Sequence, residues 1–327
     1  MIKIYTKPKV KKPILIAAWP GMGGVAFKTV SYLVQKLQMK EFAEIPSAQY
    51  SSPTAISATK SIIQPPYFPK NKFYYYSSKG SSDDVVIFLG ESQPSSSKQY
   101  ALAQEIVNFA KKLDVKMIYT LAGMLIYEDR QEKLKVWDVA TDSKLIDKLK
   151  TYEIKPMKEA YISGLNGLIL GVAKEAGIDG ACLLAELPFY AIQLEYTPSC
   201  LAVLEVLVKM LNIKIDMKEM ELSAIDCKKD IQRLIDHIRQ SLLVEEPEGE
   251  RGETAPEEIG NVAERIEKEL GISAEVPVYV KNKIEKLFSI AKKDTTKAFE
   301  LKALLDKWEL FKYYEDRFLD LFKKENQ

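Results

Sequence analysis

From the N-terminus to about Leu211, the pattern of apolar and polar residues alternates between two kinds of segment. Short apolar runs are typical of strands buried in a parallel sheet, and they alternate with stretches whose apolar residues recur at helical spacing. The runs predict strands over residues 14–19, 84–90, 115–121 and 180–187. The helical stretches predict helices over residues 25–37, 165–176 and 198–211, and a further helix that follows Ser96 as N-cap, with Gln99 completing a capping box. This strand–helix alternation indicates a mainly parallel sheet with helices on both faces.

Two segments interrupt the alternation. Residues 42–50, 60–64 and 73–76 predict strands separated by turn-rich spacers, as in an antiparallel excursion, and residues 133–140 predict one more short strand. The expected fold is therefore α/β, a three-layer α/β/α sandwich with a mixed, mainly parallel sheet.

The pattern changes after Leu211. Residues 219–243 predict a charged amphipathic helix, residues 245–253 are acidic with Pro and Gly, and residues 257–270, 280–292 and 295–324 predict further helices. Thr197 and Pro198 form the start signal of the helix that precedes this change. We expect an α/β/α domain over residues 1–243, an acidic flexible linker over residues 244–256 and a helical C-terminal extension over residues 257–327.

Composition excludes several classes of function. The chain has 327 residues, with 47 Lys and Arg against 46 Asp and Glu, so its net charge of +1 gives no electrostatic reason to expect nucleic acid or a membrane as partner. No apolar run reaches the roughly 18 residues of a membrane span, and the N-terminus lacks a signal-peptide pattern. The cysteines, Cys182, Cys200 and Cys227, form no CxxC pair, which favours reduced thiols in the cytoplasm. A single histidine, His237, excludes a His-rich metal site. The sequence also has no paired-carboxylate motif, metal-ligand spacing or nucleophile elbow, so we expect no metal, no cofactor and no catalytic residue.

A glycine-rich turn joins the first strand to its helix. Gly21, Met22, Gly23 and Gly24 stand where backbone N–H groups can face an anion at the positive end of a helix. The spacing matches neither the dinucleotide fingerprint nor the P-loop. Two interpretations remain open, a tightly packed connection and a contact with a ligand or anion.

Other short turns are expected at the same edge of the sheet. Glu91 and Gln93 follow the second buried strand, Gly123 follows the third, and Asn166 lies in a glycine-rich turn before a helix. The carboxyl ends of parallel strands form the crevice where ligands bind in such sheets. Glu91 could act as an acid or base, bind ribose hydroxyls, or cap neighbouring backbone groups. Together the turns predict a pocket but no particular reaction.

The final helix carries a wide apolar stripe with aromatic side chains. Trp308, Phe311, Tyr314 and Phe318 are candidate residues for binding a partner protein, and packing onto the main domain or onto other helices of the C-terminal extension is the alternative.

Several of these segments carry a family resemblance. The segments 13–23, 43–45, 89–94, 118–123, 163–167 and 185–198 resemble, in order and spacing, the proteasome assembly chaperone 2 family. The resemblance covers about residues 10–212. It implies an α/β/α sandwich similar to the purine nucleoside phosphorylase core, a homo-oligomer (a trimer or tetramer), and as partner proteasome α-subunits or another protein. Relatives that dock on the proteasome can use a C-terminal hydrophobic–Tyr–any tail; this sequence ends in Lys-Glu-Asn-Gln, so no tail docking is expected.

Two functions follow as expectations. The first is a non-enzymatic, homo-oligomeric protein-binding module that resembles the assembly chaperones. The alternative is a nucleoside- or nucleotide-binding or ligase-like enzyme that uses the loop Gly21–Gly24 with Glu91 and Asn166.

Overall fold

A computed structural model of the chain describes residues 2–51, 56–78, 83–126, 133–159 and 162–244, together with residues 284, 287–291, 297–307, 310, 311, 314, 317, 318 and 321. The chain forms two compact units, residues 1–252 and residues 253–327. The acidic segment 245–253 and the expected helix 257–270 lie outside the described residues, so the expected three-part division remains a prediction.

A nine-stranded mixed sheet forms the centre of the first unit. The strands are β1 (Lys3–Ile4), β2 (Ile14–Ala18), β3 (Lys40–Glu44), β4 (Ala58–Thr59), β5 (Ile62–Ile63), β6 (Asn71–Tyr76), β7 (Val85–Gly90), β8 (Met117–Ile126), β9 (Val136–Ala140), β10 (Lys155–Pro156) and β11 (Gly180–Pro188). Their order in the large sheet is β1-β3-β6-β7-β2-β8-β11-β9-β10, and β4 pairs with β5 in a separate ribbon. The central strands β7, β2, β8 and β11 are parallel, whereas β1, β3, β6 and β7 pair antiparallel, as does β9 with β11.

Helices cover both faces of this sheet. They are α1 (Val25–Lys36), α2 (Ser96–Lys112), α3 (Ser143–Lys150), α4 (Leu165–Glu175), α5 (Thr197–Met210) and α6 (Lys218–Val244). Along β2, Ile14 and Ile16 face a core shared with α1, α3 and α5, while Leu15 and Ala17 face a core shared with α2 and α4. Since both faces of the strand are buried, its sequence is continuously apolar. The predicted α/β/α sandwich with a mixed sheet is confirmed.

Some local predictions are wrong. The expected strand 42–50 ends at Glu44 and a 3₁₀ turn follows at Ser47–Gln49, since Pro46 has no N–H with which to continue the ladder. Ser95, not Ser96, is the N-cap of α2, and no side-chain hydrogen bond caps it, so the capping box does not form. Thr197 lies inside α5, and its hydroxyl donates to the carbonyl of Ser223 at 2.9 Å instead of capping the helix.

The second unit is described through a helix and a small core. The helix α7 spans Ala298–Lys307, within the expected helix 295–324. Its buried side chains Leu301 and Leu305 pack in a cluster with Ile284, Phe288 and Phe318. Within the described residues, no helix is both long and apolar enough to cross a membrane.

Candidate functional site

The carboxyl ends of β2 and β7 form a switch point in the sheet. After β2 the chain turns into α1 on one face, and after β7 it leads to α2 on the other face. Loops that diverge in this way open the crevice where ligands bind in doubly wound sheets. We call this edge, built from the turns 19–24, 91–95 and 164–167 and the end of β11, the rim.

The glycine turn is packed tightly against β11. Gly23 has a φ of 65°, and a Cβ there would lie 2.6 Å from Leu187 Cδ1. The Gly23 N–H donates to the carbonyl of Ile192 at 3.1 Å, and the Gly24 N–H donates to the carbonyl of Gly21 at 3.0 Å. Because these amides already have acceptors inside the protein, the geometry favours the packed connection over the anion contact.

Gln93 joins three turns of the rim. Its Nε2 donates to the carbonyl of Pro20 at 2.9 Å, and its Oε1 accepts a hydrogen bond from the Leu165 N–H at 3.4 Å. Asn166, which follows Leu165, is 6% exposed, and its backbone carbonyl accepts a hydrogen bond from Thr120 Oγ1 at 2.6 Å. The turns predicted to share one edge therefore do meet, and Gln93 closes the space between them.

The remaining rim candidates differ in exposure. Met22 is 40% exposed, and its carbonyl lies 3.1 Å from the position that a Cβ on Gly123 would take. Gly123 lies inside β8, which continues to Ile126, and does not end the strand as expected. Whether any of these residues binds a ligand remains a prediction.

Glu91 holds a neighbouring segment in place. Its Oε2 accepts a hydrogen bond from the Lys70 N–H at 2.9 Å and another from the Tyr67 hydroxyl, and its own N–H donates to the Lys70 carbonyl at 2.9 Å. The hydrogen bond to Glu91 raises the pKa of Tyr67. Of the three roles expected for Glu91, the contacts match the binding of neighbouring backbone groups.

Two buried polar atoms of the rim lack a hydrogen-bond partner in the described part of the chain. They are the indole Nε1 of Trp19 and the side-chain Oδ1 of Asn166. Trp19 is fully buried, and a Cβ on Gly90 would lie 2.5 Å from its Nε1, so the indole packs directly on β7.

Two cavities lie near the ends of β2 and β7. The smaller one, of about 10 Å³, lies beside the rim; Ser92 and Pro94 line it from the turn 91–95, and its other lining residues are Ser47, Tyr50, Ser51, Pro69 and Asn71. That is about the space of one water molecule, whereas ligand pockets measure roughly 300–1,000 Å³. An open cleft of about 550 Å³ lies instead at the amino ends of β2 and β7, where the Asp84 carboxylate accepts hydrogen bonds from the N–H groups of Lys11 at 2.6 Å and Ser78 at 2.8 Å. The cavity beside the rim is too small for a nucleoside.

No candidate metal centre is present in the described ranges, because no three His, Cys, Asp or Glu side chains come together there. Cys182 and Cys200 are buried free thiols, and burial raises the pKa of each to about 12. Neither thiol is positioned as a nucleophile at ordinary pH.

Sequence reasoning missed an exposed apolar segment beside the rim. We call residues 56–68 the arm; it contains the ribbon of β4 and β5. Its large exposed side chains are Ile56, Ile62, Ile63, Tyr67 and Phe68. Large apolar residues set among Ser and Pro, without a helical or alternating period, are the signal that could have found it.

The aromatic candidates of the final helix pack within the second unit. The rings of Phe311 and Phe318 are 5.5 Å apart, the rings of Tyr314 and Phe288 are 5.7 Å apart, and Phe318 is 7% exposed. Trp308 lies outside the described residues. In contrast, Phe299 on α7 is 82% exposed and was not among the candidates.

The model of the PAC2 family matches residues 15–235, which build the rim, the arm and the sheet except for β1 and the first residue of β2. The chain belongs to the PAC2 family. The resemblance identified from the sequence is thereby confirmed, and the PAC2 region includes every rim candidate but none of the final-helix candidates.

Relatives of this PAC2 protein include archaeal and bacterial proteins. The uncharacterized protein MJ1210 of Methanocaldococcus jannaschii is 30% identical over 73% of this chain and 90% of that protein. PbaB of Pyrococcus furiosus, described as an archaeal proteasome activator, is 26% identical with a TM-score of 0.62, over 72% of this chain and 98% of PbaB. The proteasome-assembly chaperone homologue Rv2125 of Mycobacterium tuberculosis, 18% identical with a TM-score of 0.58 over 67% of this chain and 94% of Rv2125, shares the fold.

Proposed function

We propose that this PAC2 protein is a non-enzymatic, homo-oligomeric binding module that acts on proteasome subunits in the cytoplasm. The observation that carries the proposal is the closed rim. Gln93 bridges its turns, Glu91 holds residues 67–70, and the amides of Gly23 and Gly24 already have acceptors. A crevice whose turns are already hydrogen-bonded to one another supports a contact surface.

The choice of partner rests on similarity. PbaB is similar over almost its whole length and is described as a proteasome activator. The second unit adds a surface of its own, since Phe299 is 82% exposed on α7. We infer that proteasome α-subunits are the partner and that the second unit contributes to the contact.

The test is direct binding between purified proteins. The full chain is mixed with recombinant proteasome α-subunits of its own source, and complexes are measured by native mass spectrometry and sedimentation velocity. We expect a complex of defined stoichiometry with α-subunits and none with serum albumin at the same concentration. Absence of any α-subunit complex at about 100 times a micromolar Kd, where binding would be nearly complete, would overturn the proposed partner.

The unpartnered atoms of Trp19 and Asn166 favour one alternative, a small-molecule site. A ligand present at 100 times its Kd adds about 2.7 kcal/mol to the free energy of unfolding. We expect nucleosides and nucleotides to leave the melting temperature of the full chain unchanged, because Gln93 bridges the turns of the rim and the amides of Gly23 and Gly24 already have acceptors inside the protein. A concentration-dependent rise would favour the ligand-binding function instead.

A further inference from the structure

The large apolar side chains of the arm are exposed to solvent. Ile56, Ile62 and Ile63 are 57%, 66% and 70% exposed, and Tyr67 and Phe68 are 63% and 41% exposed. Counted at about 200 Å² for each large side chain, the uncovered apolar surface is on the order of 600 Å². Monomeric proteins rarely expose more than a few hundred Å² of continuous apolar surface, and larger exposures mark interaction sites; the arm exposes this much in total over the two faces of its ribbon.

The arm is held in a defined position despite this exposure. The Gln64 N–H donates to the Ser57 carbonyl at 2.8 Å and closes the ribbon, while Glu91 binds the Tyr67 hydroxyl and the Lys70 N–H at the base of the arm. Neighbouring residues of a strand point to opposite faces, so exposure of both Ile62 and Ile63 means that both faces of the ribbon are open. A two-stranded ribbon is marginal by itself, and it gains stability when a partner covers it.

The low charge of the arm and the outer edges of its strands indicate which partner covers it. Lys60 is the one charged residue in the sequence of residues 56–68. This surface has no charge pattern that would select an oppositely charged protein, and two copies of it repel each other little. Strands β4 and β5 pair with each other in a sheet of two strands, so each presents an outer edge that can pair with the same edge of another copy. When a second copy covers both faces of the ribbon, the apolar area buried on each copy, on the order of 600 Å², is close to the roughly 800 Å² that each partner contributes to a standard interface.

We propose that the arm is the self-association surface of this protein and that it packs against the arm of a second copy about a twofold axis. The proposal rests on the homo-oligomeric part of the proposed function and names the surface responsible. A self-complementary contact of this kind closes a dimer, or a tetramer built from two such dimers.

The test measures the mass of the full chain by light scattering and sedimentation equilibrium. The double variant Ile62→Lys/Ile63→Lys places two charges in the contact, and Leu222→Lys, at a position on α6 that is 62% exposed, is the matched control. We expect the wild type and the control to be oligomeric. The double variant should raise the dissociation constant of the arm contact by at least about 100-fold, because the contact loses two isoleucines that it would otherwise bury. All the replaced side chains are exposed, so the melting temperature extrapolated to low protein concentration should stay the same.

A second variant reports the contact independently of charge. Thr59→Cys lies on the exposed edge of β4, and oxidation should join two copies in a covalent dimer. An oligomer that survives the double variant, without a cross-link through residue 59, overturns the arm as the interface but leaves the homo-oligomeric function standing. A wild type that is monomeric at all concentrations overturns both, and binding to α-subunits is measured separately in either case.

Discussion

Asp138 carries a buried carboxyl group on a strand of the large sheet. It is 1% exposed on β9, and both of its oxygens lack partners in the described part of the chain. Burial raises the pKa of Asp138, and the charge of Lys150 opposes the shift. In an unfolded chain an aspartate ionises near pH 4. Between that pH and the raised pKa the folded state binds more protons than the unfolded state, so the Asp138 contribution to stability falls as pH rises through this window.

The variant Asp138→Asn tests this pH dependence. The amide cannot ionise, so we expect the free energy of unfolding of the variant, relative to wild type, to increase from pH 4 towards neutral pH. Chemical denaturation at a series of pH values measures the difference. Asp179→Asn, at an exposed position, is the control. A difference between Asp138→Asn and wild type that is constant with pH would contradict the explanation.

At the scale of elements, the arm and the rim are coupled through one side chain. Glu91 follows β7 directly, and its contacts with Tyr67 and Lys70 hold the C-terminal end of the arm beside β7. Through Glu91, the rim thus positions the proposed contact surface. This gives the glutamate a role in binding a partner that needs no chemistry at its carboxylate.

The variant Glu91→Ala tests that role. We expect faster hydrogen exchange in residues 56–70, most directly at the Lys70 amide, because its acceptor is removed. The free energy of unfolding should stay within about 1 kcal/mol of wild type, the contribution of a typical hydrogen bond. Glu175→Ala removes another exposed contact between a tyrosine and a glutamate, with Tyr100, and should leave arm exchange unchanged. If the amides of residues 56–70 exchange equally fast in Glu91→Ala and Glu175→Ala, Glu91 does not hold the arm in place.

At the scale of the whole molecule, each unit has its own core. The two core clusters of the sheet are built from residues between Ile2 and Ile231, and the cluster of the second unit is built from residues between Ile284 and Leu321. A domain with its own core can fold alone. The first unit also contains the entire PAC2 match.

Shortening the chain tests this independence. A protein ending at Gly252 should unfold cooperatively, with a melting temperature within a few degrees of the transition of the first unit in the full chain. Differential scanning calorimetry of both proteins makes the comparison. If the second unit carries the partner contact, the shortened protein should also lose binding to α-subunits. Failure of the shortened chain to fold would show that the cores depend on each other.

The central layer of the fold could be predicted because a strand that is buried on both faces is visible in the sequence as a local apolar run. The β2 segment is continuously apolar, β11 is apolar except for Glu186, and the spacing in α1 and α4 places their apolar residues on one side. Short elements were harder. The helix α3 was missed because eight residues with two buried leucines, Leu145 and Leu149, give too few periods to recognise.

The sequence by itself determined the alternation of strands and helices, the family, and the turns that share the rim, because each depends on residues that are close along the chain. Only the tertiary structure decided what those turns do. Gln93 bonds to Pro20, which lies 73 residues away, and Glu91 bonds to Lys70 across 21 residues. Exposure of the arm was decided in the same way, since an isoleucine is buried or open according to what the folded chain places beside it. The local sequence pattern shows which residues are apolar and which favour turns. Hydrogen-bond partners and solvent exposure depend on distant segments that meet on folding.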